Sequence, residues 1–239
     1  MPELIVNIDH VAALRQIGRA NVPDPVAAAV RIENTAVRGI AVHLWEDRRH
    51  IQDRDIRILR QVVQSEFILE MGSTAEMVGI ALDLKPDRIV LVPEKHEETT
   101  TDGGLDLIVH KNAVAETIAT LQNSGLPVGV FIDPDPEQIS LAHQINANRV
   151  VIHSQLFCDA KTSMKREHSF ARMVDAIKFA HKLKLGVTVG RGLDARTIRN
   201  FRQLPEIEEF TVGHSIIATA LLSGLEASVQ SMLDLINAL

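Results

Sequence analysis

The chain has little of what secreted or membrane proteins depend on. Its 239 residues include one cysteine, Cys158, and no tyrosine. A single cysteine excludes an internal disulfide and is typical of the reducing cytoplasm. No apolar run approaches the length of about 20 residues that a membrane-spanning helix needs, and residues 1–6 have no basic segment of the signal-peptide kind. We therefore expect a cytoplasmic protein that makes no membrane contact.

An excess of positive charge is also missing. Lysine and arginine number 25 against 31 aspartate and glutamate, which gives a net charge of −6 and a pI near 5.9. Such a chain has no overall field to attract nucleic acid, so we expect no nucleic-acid partner. Small phosphorylated substrates stay compatible with this charge, because a local cluster of donors is sufficient to bind a phosphate.

Eight short apolar runs recur along the chain, separated by segments with helical periodicity. They are rich in Val, Ile and Phe and mostly lack alternation, which is typical of strands buried on both faces. The runs are residues 4–9, 39–44, 67–72, 88–93, 127–133, 149–154, 186–192 and 209–215. This pattern predicts an α/β fold, a single (β/α)8 TIM barrel with extra helices that spans 1–239 as one domain. A doubly wound open sheet is the alternative, and the count of eight favours the barrel.

Two sequence signals predict where helices begin. Asp24 followed by Pro25 resembles an N-cap with proline in the first helical position. Ser73 and Glu76 have the spacing of a capping box. Further along, the connection from Glu94 to Ile108 is long and contains two adjacent glycines, so we predict that it is a mobile lid.

Polar side chains follow the predicted strands, where the catalytic groups of a barrel lie. His43 and Glu70 end neighbouring strands, and a histidine beside a carboxylate is suited to moving protons near neutral pH. We predict that this pair is catalytic. The other polar residues at strand ends are Asn7, Asp9, His10, Glu94, Lys95, Asp133, His153, Arg191 and His214.

Other interpretations of these residues stay open. His10 and His153 can each be hydrogen-bonded core histidines, and Asp133 can shape a turn before Pro134. Four of the polar residues can also be read as metal ligands: Asp9, His10, His43 and Glu70. They lack the close sequence spacing typical of metal ligands, so we predict no metal. A Schiff-base aldolase is a weaker alternative, for which Lys95 is the candidate lysine.

Two similar motifs, VGRGL and VGHSI, predict an anion site at the ends of the last two strands. Each is read as a strand, a glycine and the start of a helix. Glycine lets backbone N–H groups approach an anion, and a helix N-terminus adds partial positive charge. Arg191 and His214 lie within these motifs and can add charge-assisted hydrogen bonds.

Several motifs together resemble the pyridoxine 5′-phosphate synthase family. They are VNIDHVAALR, PDPV, VHLWEDRRHIQDRDIRILR, LEM, LVPEK, TTDGGLD and VGHSII, spread over nearly the whole chain. The resemblance implies a TIM barrel, usually assembled into an octamer. It also implies a transferase-type enzyme of vitamin B6 biosynthesis that condenses 1-deoxy-D-xylulose 5-phosphate with 3-amino-2-oxopropyl phosphate, releasing phosphate and water. No metal or organic cofactor is implied.

The resemblance also implies roles for individual residues. His43 falls on a catalytic histidine and Glu70 on the catalytic glutamate. The positions implied to bind substrate are Asn7, Asp9, His10, His50, Thr100, Gly192, Gly213 and His214.

Four positions depart from the family pattern. Trp45 stands where the family has a binding arginine, and Arg191 replaces a catalytic histidine. Val151 replaces a glutamate, and Gly18 replaces another binding arginine, with Arg19 adjacent. We expect Trp45 and Arg19 to contact substrate and Arg191 to bind phosphate, since arginine stays protonated near neutral pH. A divergent paralogue acting on another phosphorylated ketone or amine, and an inactive barrel kept for binding or assembly, are the rival hypotheses.

Overall fold

Eight parallel strands close into a barrel in the computed structural model, which describes residues 1–94 and 103–239. Each strand pairs with the next along the chain, and β8 pairs with β1. The strands are β1 (Glu3–Asn7), β2 (Gly39–His43), β3 (Glu66–Met71), β4 (Arg88–Leu91), β5 (Val128–Ile132), β6 (Arg149–His153), β7 (Gly186–Gly190) and β8 (Glu209–Val212). The predicted TIM barrel is confirmed, and the open sheet is wrong.

Helices surround the barrel, and several are additional to the one expected after each strand. They are α1 (Asp9–Gly18), α2 (Pro25–Ile32), α3 (Asp53–Val62), α4 (Ala75–Leu84), α5 (Leu107–Asn123), α6 (Pro136–Gln144), α7 (Gln155–Cys158), α8 (Ser163–Lys182), α9 (His214–Ser223) and α10 (Leu225–Asn237). Among the described residues, no helix is both long enough and apolar enough to span a membrane.

The missing alternation in the strands is explained by their two buried faces. Side chains on successive residues point to opposite faces of a strand. Leu4 and Val6 pack outward against the helices in the main core. Ile5 packs inward with Ala41 and Ile68 in a smaller cluster inside the barrel. Both faces of the strand are therefore excluded from water. Each fully buried Val, Leu or Ile side chain contributes about 1.5–3 kcal/mol to the free energy of folding.

An ionic network closes the barrel at the amino ends of the strands. Arg88 donates to Glu209 at 3.1 Å, and Arg149 lies 3.3 Å from the same carboxylate. Glu66 pairs with Arg88 at 3.1 Å, and the Thr188 hydroxyl donates to Glu209 at 2.9 Å. Buried charges are tolerated when they are paired in this way.

Two of the predicted helix starts can be compared directly with the structure. The Asp24 side chain accepts a hydrogen bond from the Val26 N–H at 3.0 Å, so this N-cap is confirmed. The capping box at Ser73 is wrong, because α4 begins one residue later with Thr74 as its N-cap. Glu76 instead pairs with Arg48.

The two glycine motifs lead into different backbone conformations. β8 continues directly into α9, as predicted. After β7, however, Arg191 and Gly192 both have positive φ, at 78° and 74°, which turns the chain away from a helical path. The predicted helix at VGRGL is therefore wrong, and a short 3₁₀ helix occurs only at Ile198–Phe201.

Candidate active site

A cavity of about 660 Å³ opens at the carboxyl ends of the strands. Most of the predicted site residues line it: Asn7, Asp9, His10, His43, Trp45, His50, Glu70, Arg191, Gly192, Gly213 and His214. Arg19 is exposed at the end of α1 and is not among the residues that line the cavity. Thr100, Lys95 and most of the predicted lid lie outside the described residues.

Two carboxylates and an amide form the centre of the site. Asn7 Nδ2 donates to Asp9 Oδ2 at 2.9 Å and to Glu70 Oε2 at 3.4 Å. Asp9 Oδ1 in turn accepts from the backbone N–H of His43 at 2.8 Å. These bonds join the ends of β1, β2 and β3, so the fold fixes the separation of the carboxylates.

Glu70 is adapted to proton transfer by its surroundings. Burial, and then the negative charge of Asp9, raise the pKa of Glu70 to about 7, although His43 and Arg191 oppose the change. A carboxyl with this pKa exists in both protonation states near neutral pH. It can therefore both donate and accept a proton during one reaction cycle.

Asp9, His43 and Glu70 also have the proximity of a metal site. One ligand atom from each lies within 4.8 Å of the others. The Asn7 amide, however, already places a neutral donor between the two carboxylates. The same three groups suit proton movement, since they include a histidine and a carboxyl with a pKa near neutrality.

His43 is hydrogen-bonded to a residue that the sequence did not identify as its partner. His43 is directly opposite Glu70 in the strand register, as predicted. Its Nε2, however, faces Glu94 Oε1 at 3.3 Å rather than Glu70. The sequence placed Glu94 at the rim, but β4 ends at Leu91, and strand periodicity does not give the direction of a side chain beyond that end.

Trp45 packs against His43, the histidine that the sequence predicts to be catalytic. Its ring stacks on the imidazole of His43, with 4.5 Å between centroids. The guanidinium carbon of Arg49 lies 3.8 Å from the centroid of the Trp45 ring, which is a cation–π contact. Arg49 also pairs with Asp47 at 2.7 Å.

The alternation of arginines and acids from Arg48 to Arg60 predicts a solvated helix face for most of these arginines. Exposed Arg54 and Arg57 on α3 confirm it, whereas Arg49 precedes that helix.

Three other histidines border the cavity, and two of them are held in the neutral form. Burial lowers the pKa of His10, although the charge of Asp9 opposes the change. Burial also lowers the pKa of His50, whose Nδ1 accepts a hydrogen bond from the Ile51 N–H at 2.8 Å. The rings of His10 and His214 meet edge to face at 5.0 Å. In the described part of the chain, His10 Nδ1 is buried without a partner, so it is available to a substrate.

The start of α9, where the sequence predicts an anion site, borders the cavity. Gly213 precedes the helix, and a Cβ at this position would lie 3.1 Å from the Asn7 carbonyl oxygen, so a larger residue would crowd the end of β1. Backbone N–H groups at a helix start attract phosphate. Arg191 lines the same cavity, from a strained backbone conformation with φ 78°.

Two further rim residues have structural partners. His153 Nδ1 lies 2.8 Å from Asp133 Oδ1, and this hydrogen bond lowers the pKa of the Asp133 carboxyl. Asp133 also accepts from the Gly104 N–H at 3.0 Å. Neither residue lines the 660 Å³ cavity. Cys158 is buried beneath Gly192, and burial raises the pKa of its thiol to about 11, so the thiol is not a nucleophile near neutral pH.

Comparisons with known proteins agree over the whole chain. A sequence model described as "Pyridoxal phosphate biosynthesis protein PdxJ" matches residues 4–238. A protein of Desulforapulum autotrophicum named pyridoxine 5′-phosphate synthase is 50% identical over 239 residues, which is 100% of both chains. A protein of Geobacter metallireducens with the same name is 48% identical over 237 residues, 99% of each chain.

Solved structures show the same barrel in more distant proteins. KGPDC from Streptococcus mutans superposes with a TM-score of 0.65 at 15% identity, covering 100% of this chain and 98% of that one. A mutant tryptophan synthase alpha-subunit from Pyrococcus furiosus gives a TM-score of 0.64 at 12% identity, covering 99% and 98%. At this identity the likeness concerns the fold alone.

Proposed function

Because the chain belongs to the PdxJ family of pyridoxal phosphate biosynthesis proteins, we propose that its cavity joins two phosphorylated substrates into pyridoxine 5′-phosphate. The chain is an enzyme of vitamin B6 biosynthesis with the function of a pyridoxine 5′-phosphate synthase. The substrates we propose are 1-deoxy-D-xylulose 5-phosphate and 3-amino-2-oxopropyl phosphate. Phosphate and water are the other products.

The observation that carries this proposal is the position of Glu70. Its carboxyl has a pKa of about 7 and lies beside His43 in the cavity. Joining an amine to a ketone forms a C=N bond and expels the carbonyl oxygen as water, so protons must leave nitrogen and reach oxygen. Glu70 and His43 are the groups that we propose carry these protons.

Phosphate recognition is proposed for the part of the cavity at the carboxyl ends of β7 and β8. Gly192, Gly213 and His214 offer backbone N–H groups and a ring near the start of α9. Arg191 adds a permanent positive charge there. Both substrates carry phosphate, so two anion contacts are required, and we propose that Arg191 supplies part of the second contact in place of the arginine expected at Trp45.

The test of this function is turnover by the purified chain. It is incubated with the two substrates, and pyridoxine 5′-phosphate is detected by mass spectrometry together with released phosphate. His43→Ala and Glu70→Gln should each reduce the rate by about 10²–10⁴-fold, the usual contribution of a general acid–base group. Glu116→Gln is the control, because Glu116 is exposed on α5. Near-normal turnover in either site variant contradicts the assignment.

A second candidate function has one structural observation in its favour. Val151 packs inside the barrel with Phe131, and Trp45 is buried at the cavity wall. These side chains make the site less polar than the family pattern implies. The candidate is condensation of another phosphorylated ketone or amine, and it predicts turnover of a less polar substrate where the two family substrates give none.

We also propose that the chain assembles with copies of itself, in an octamer by resemblance to the family. Four large apolar side chains are exposed on α1 and α9, two helices in contact with each other. They are Leu14, Ile17, Leu221 and Leu222. Light scattering should give a mass that is a multiple of 26.4 kDa, and Ile17→Lys with Leu222→Lys should lower it. Val109→Lys, at an exposed apolar residue of α5, is the control. A monomeric unmodified chain contradicts assembly.

A further inference from the structure

We propose that Glu94 is a positioning residue for His43, which holds the proton of the neutral ring on Nε2 and leaves Nδ1 as the basic nitrogen. Glu94 does not line the cavity, so it acts through His43 rather than on substrate. The kinetic consequences rest on the proposed function. The effect of Glu94 on the protonation of His43 is independent of the proposed function, and it can be measured without turnover.

The carboxylate of Glu94 is fixed by three hydrogen bonds. Oε1 faces His43 Nε2 at 3.3 Å and accepts from the Gly72 N–H at 3.0 Å. Oε2 accepts from the Glu46 N–H at 3.0 Å. His43 ends β2, Glu46 follows β2, and Gly72 follows β3. Glu94, which lies beyond the end of β4, therefore joins the carboxyl ends of β2 and β3. The side chains of His43 and Glu94 are only 4% and 11% exposed, so neither is free to reorient in solvent.

The charge of Glu94 determines which nitrogen of His43 carries the proton. Burial alone would raise the pKa of the Glu94 carboxyl, but its bonds to His43 and to the two backbone N–H groups hold the pKa below its usual value. The group is therefore an anion near neutral pH, and a carboxylate anion only accepts hydrogen bonds. His43 Nε2 must then be the donor. In the neutral ring this leaves the lone pair on Nδ1, ready to accept a proton.

Glu94 also supports the second state of the cycle. When Nδ1 takes a proton, the ring becomes positively charged in a buried position, which costs free energy unless a partner offsets it. The anionic Glu94 lies on the opposite side of the ring and offsets this charge. An acidic residue that orients a histidine and stabilises its protonated form is a recurring arrangement in enzymes that use histidine as a base.

Glu94→Gln separates this role from a purely structural one. Glutamine has one accepting oxygen, and Gly72 donates to Oε1 whereas Glu46 donates to Oε2, so the variant keeps one of the two backbone bonds. The amide carries no charge, and with its nitrogen toward His43 it donates to Nε2 and leaves the ring proton on Nδ1. The variant therefore keeps the size of Glu94 and removes the negative charge beside His43.

The kinetic readout is the separation of kcat from KM, together with the pH profile. In Glu94→Gln we expect kcat to fall by about 10²-fold, the lower end for losing a general base, with KM changed by less than about twofold since no substrate contact is removed. The acid limb of the profile should move to lower pH, because the ring loses its negative neighbour. Glu116→Gln should leave kcat, KM and the pH profile unchanged. An unchanged kcat and profile in Glu94→Gln overturn the proposal.

A chemical readout works even if the unmodified chain forms no pyridoxine 5′-phosphate, an outcome that would refute the proposed function alone. Diethyl pyrocarbonate modifies the deprotonated imidazole, and cleavage after arginine releases residues 39–48, in which His43 is the one histidine. In Glu94→Gln the modification of His43 should begin at lower pH than in the unmodified chain. If Glu94→Gln does not fold, judged by circular dichroism, Glu94→Asp is used, and it should keep the unmodified pH dependence. An identical pH dependence in Glu94→Gln, or a shifted one in Glu94→Asp, overturns the proposal.

Discussion

The ring of Trp45 lies against the imidazole of His43 with an angle of 28° between their planes and 4.5 Å between their centroids. A neutral aromatic side chain therefore packs on the proposed catalytic histidine at the position where the family resemblance implies an arginine. Trp45 is 2% exposed, so it forms part of the wall of the site. The guanidinium group of Arg49 contacts the ring itself.

Restoring the implied family residues should strengthen the family reaction. The variant combines Trp45→Arg, Val151→Glu and Arg191→His, since all three positions line the same cavity. We expect pyridoxine 5′-phosphate formation to rise by about 10²-fold, the contribution of one recovered general acid. The measurement is initial rate by mass spectrometry. Equal rates in the restored and unmodified chains would show that the three departures are neutral.

Glu70 should make stability depend on pH in a defined direction. Its folded-state pKa is about 7 against 4.5 for the ordinary carboxyl, so the folded chain binds more protons than the unfolded chain between these values. The stabilisation is complete below about pH 4.5 and is lost as the pH rises through about 7. Glu70→Gln removes this loss, so the variant should gain stability relative to the unmodified chain between about pH 5 and pH 8. Urea unfolding at about pH 5 and pH 8 measures the difference in stability between Glu70→Gln and the unmodified chain. A difference that is the same at both pH values contradicts a raised pKa for Glu70.

Glu209 should be essential for stability rather than for substrate binding. It is 3% exposed and paired with both Arg88 and Arg149. Glu209→Ala leaves the buried Arg88 and the partly buried Arg149 without this partner, which should lower the free energy of unfolding by about 3–5 kcal/mol. Glu208→Ala is the matched control, because Glu208 is half exposed in its pair with Arg149 and should cost at most about 1 kcal/mol. Denaturant unfolding gives both values, and equal costs would contradict the role of burial.

Cys158 should be unreactive in the folded chain. Burial raises its pKa to about 11, so little thiolate is present near neutral pH. We expect iodoacetamide to label the thiol much more slowly in buffer than in urea, with labelling followed by mass spectrometry. Labelling at the same rate in both solvents would mean that the thiol is accessible and ionised in the folded state.

The sequence predicted the parts of this fold that depend on burial and periodicity. Runs such as residues 39–44 identified buried strands, and eight of them predicted the barrel. The adjacency of His43 and Glu70 came from the same reasoning, because parallel strands bring their carboxyl ends to one rim.

Features that depend on local backbone geometry were not predictable in this way. VGRGL and VGHSI are nearly the same sequence pattern, yet consecutive positive φ values at Arg191 and Gly192 turn one of them away from a helix. The partners of Glu94 and Arg49 depend on side-chain directions in segments without secondary structure. No spacing rule applies there, so the bond to His43 and the contact with Trp45 emerge only from the folded chain.

Because Trp45 is the single tryptophan and the chain has no tyrosine, the intrinsic fluorescence of the protein comes from one ring in the wall of the candidate active site. The emission has no contribution from other indoles to subtract. A ligand moving into the cavity, or a proton arriving on the stacked imidazole of His43, changes the surroundings of that ring directly. The protein thus carries its own optical probe, so that stopped-flow recordings can time substrate binding and product release without any attached label.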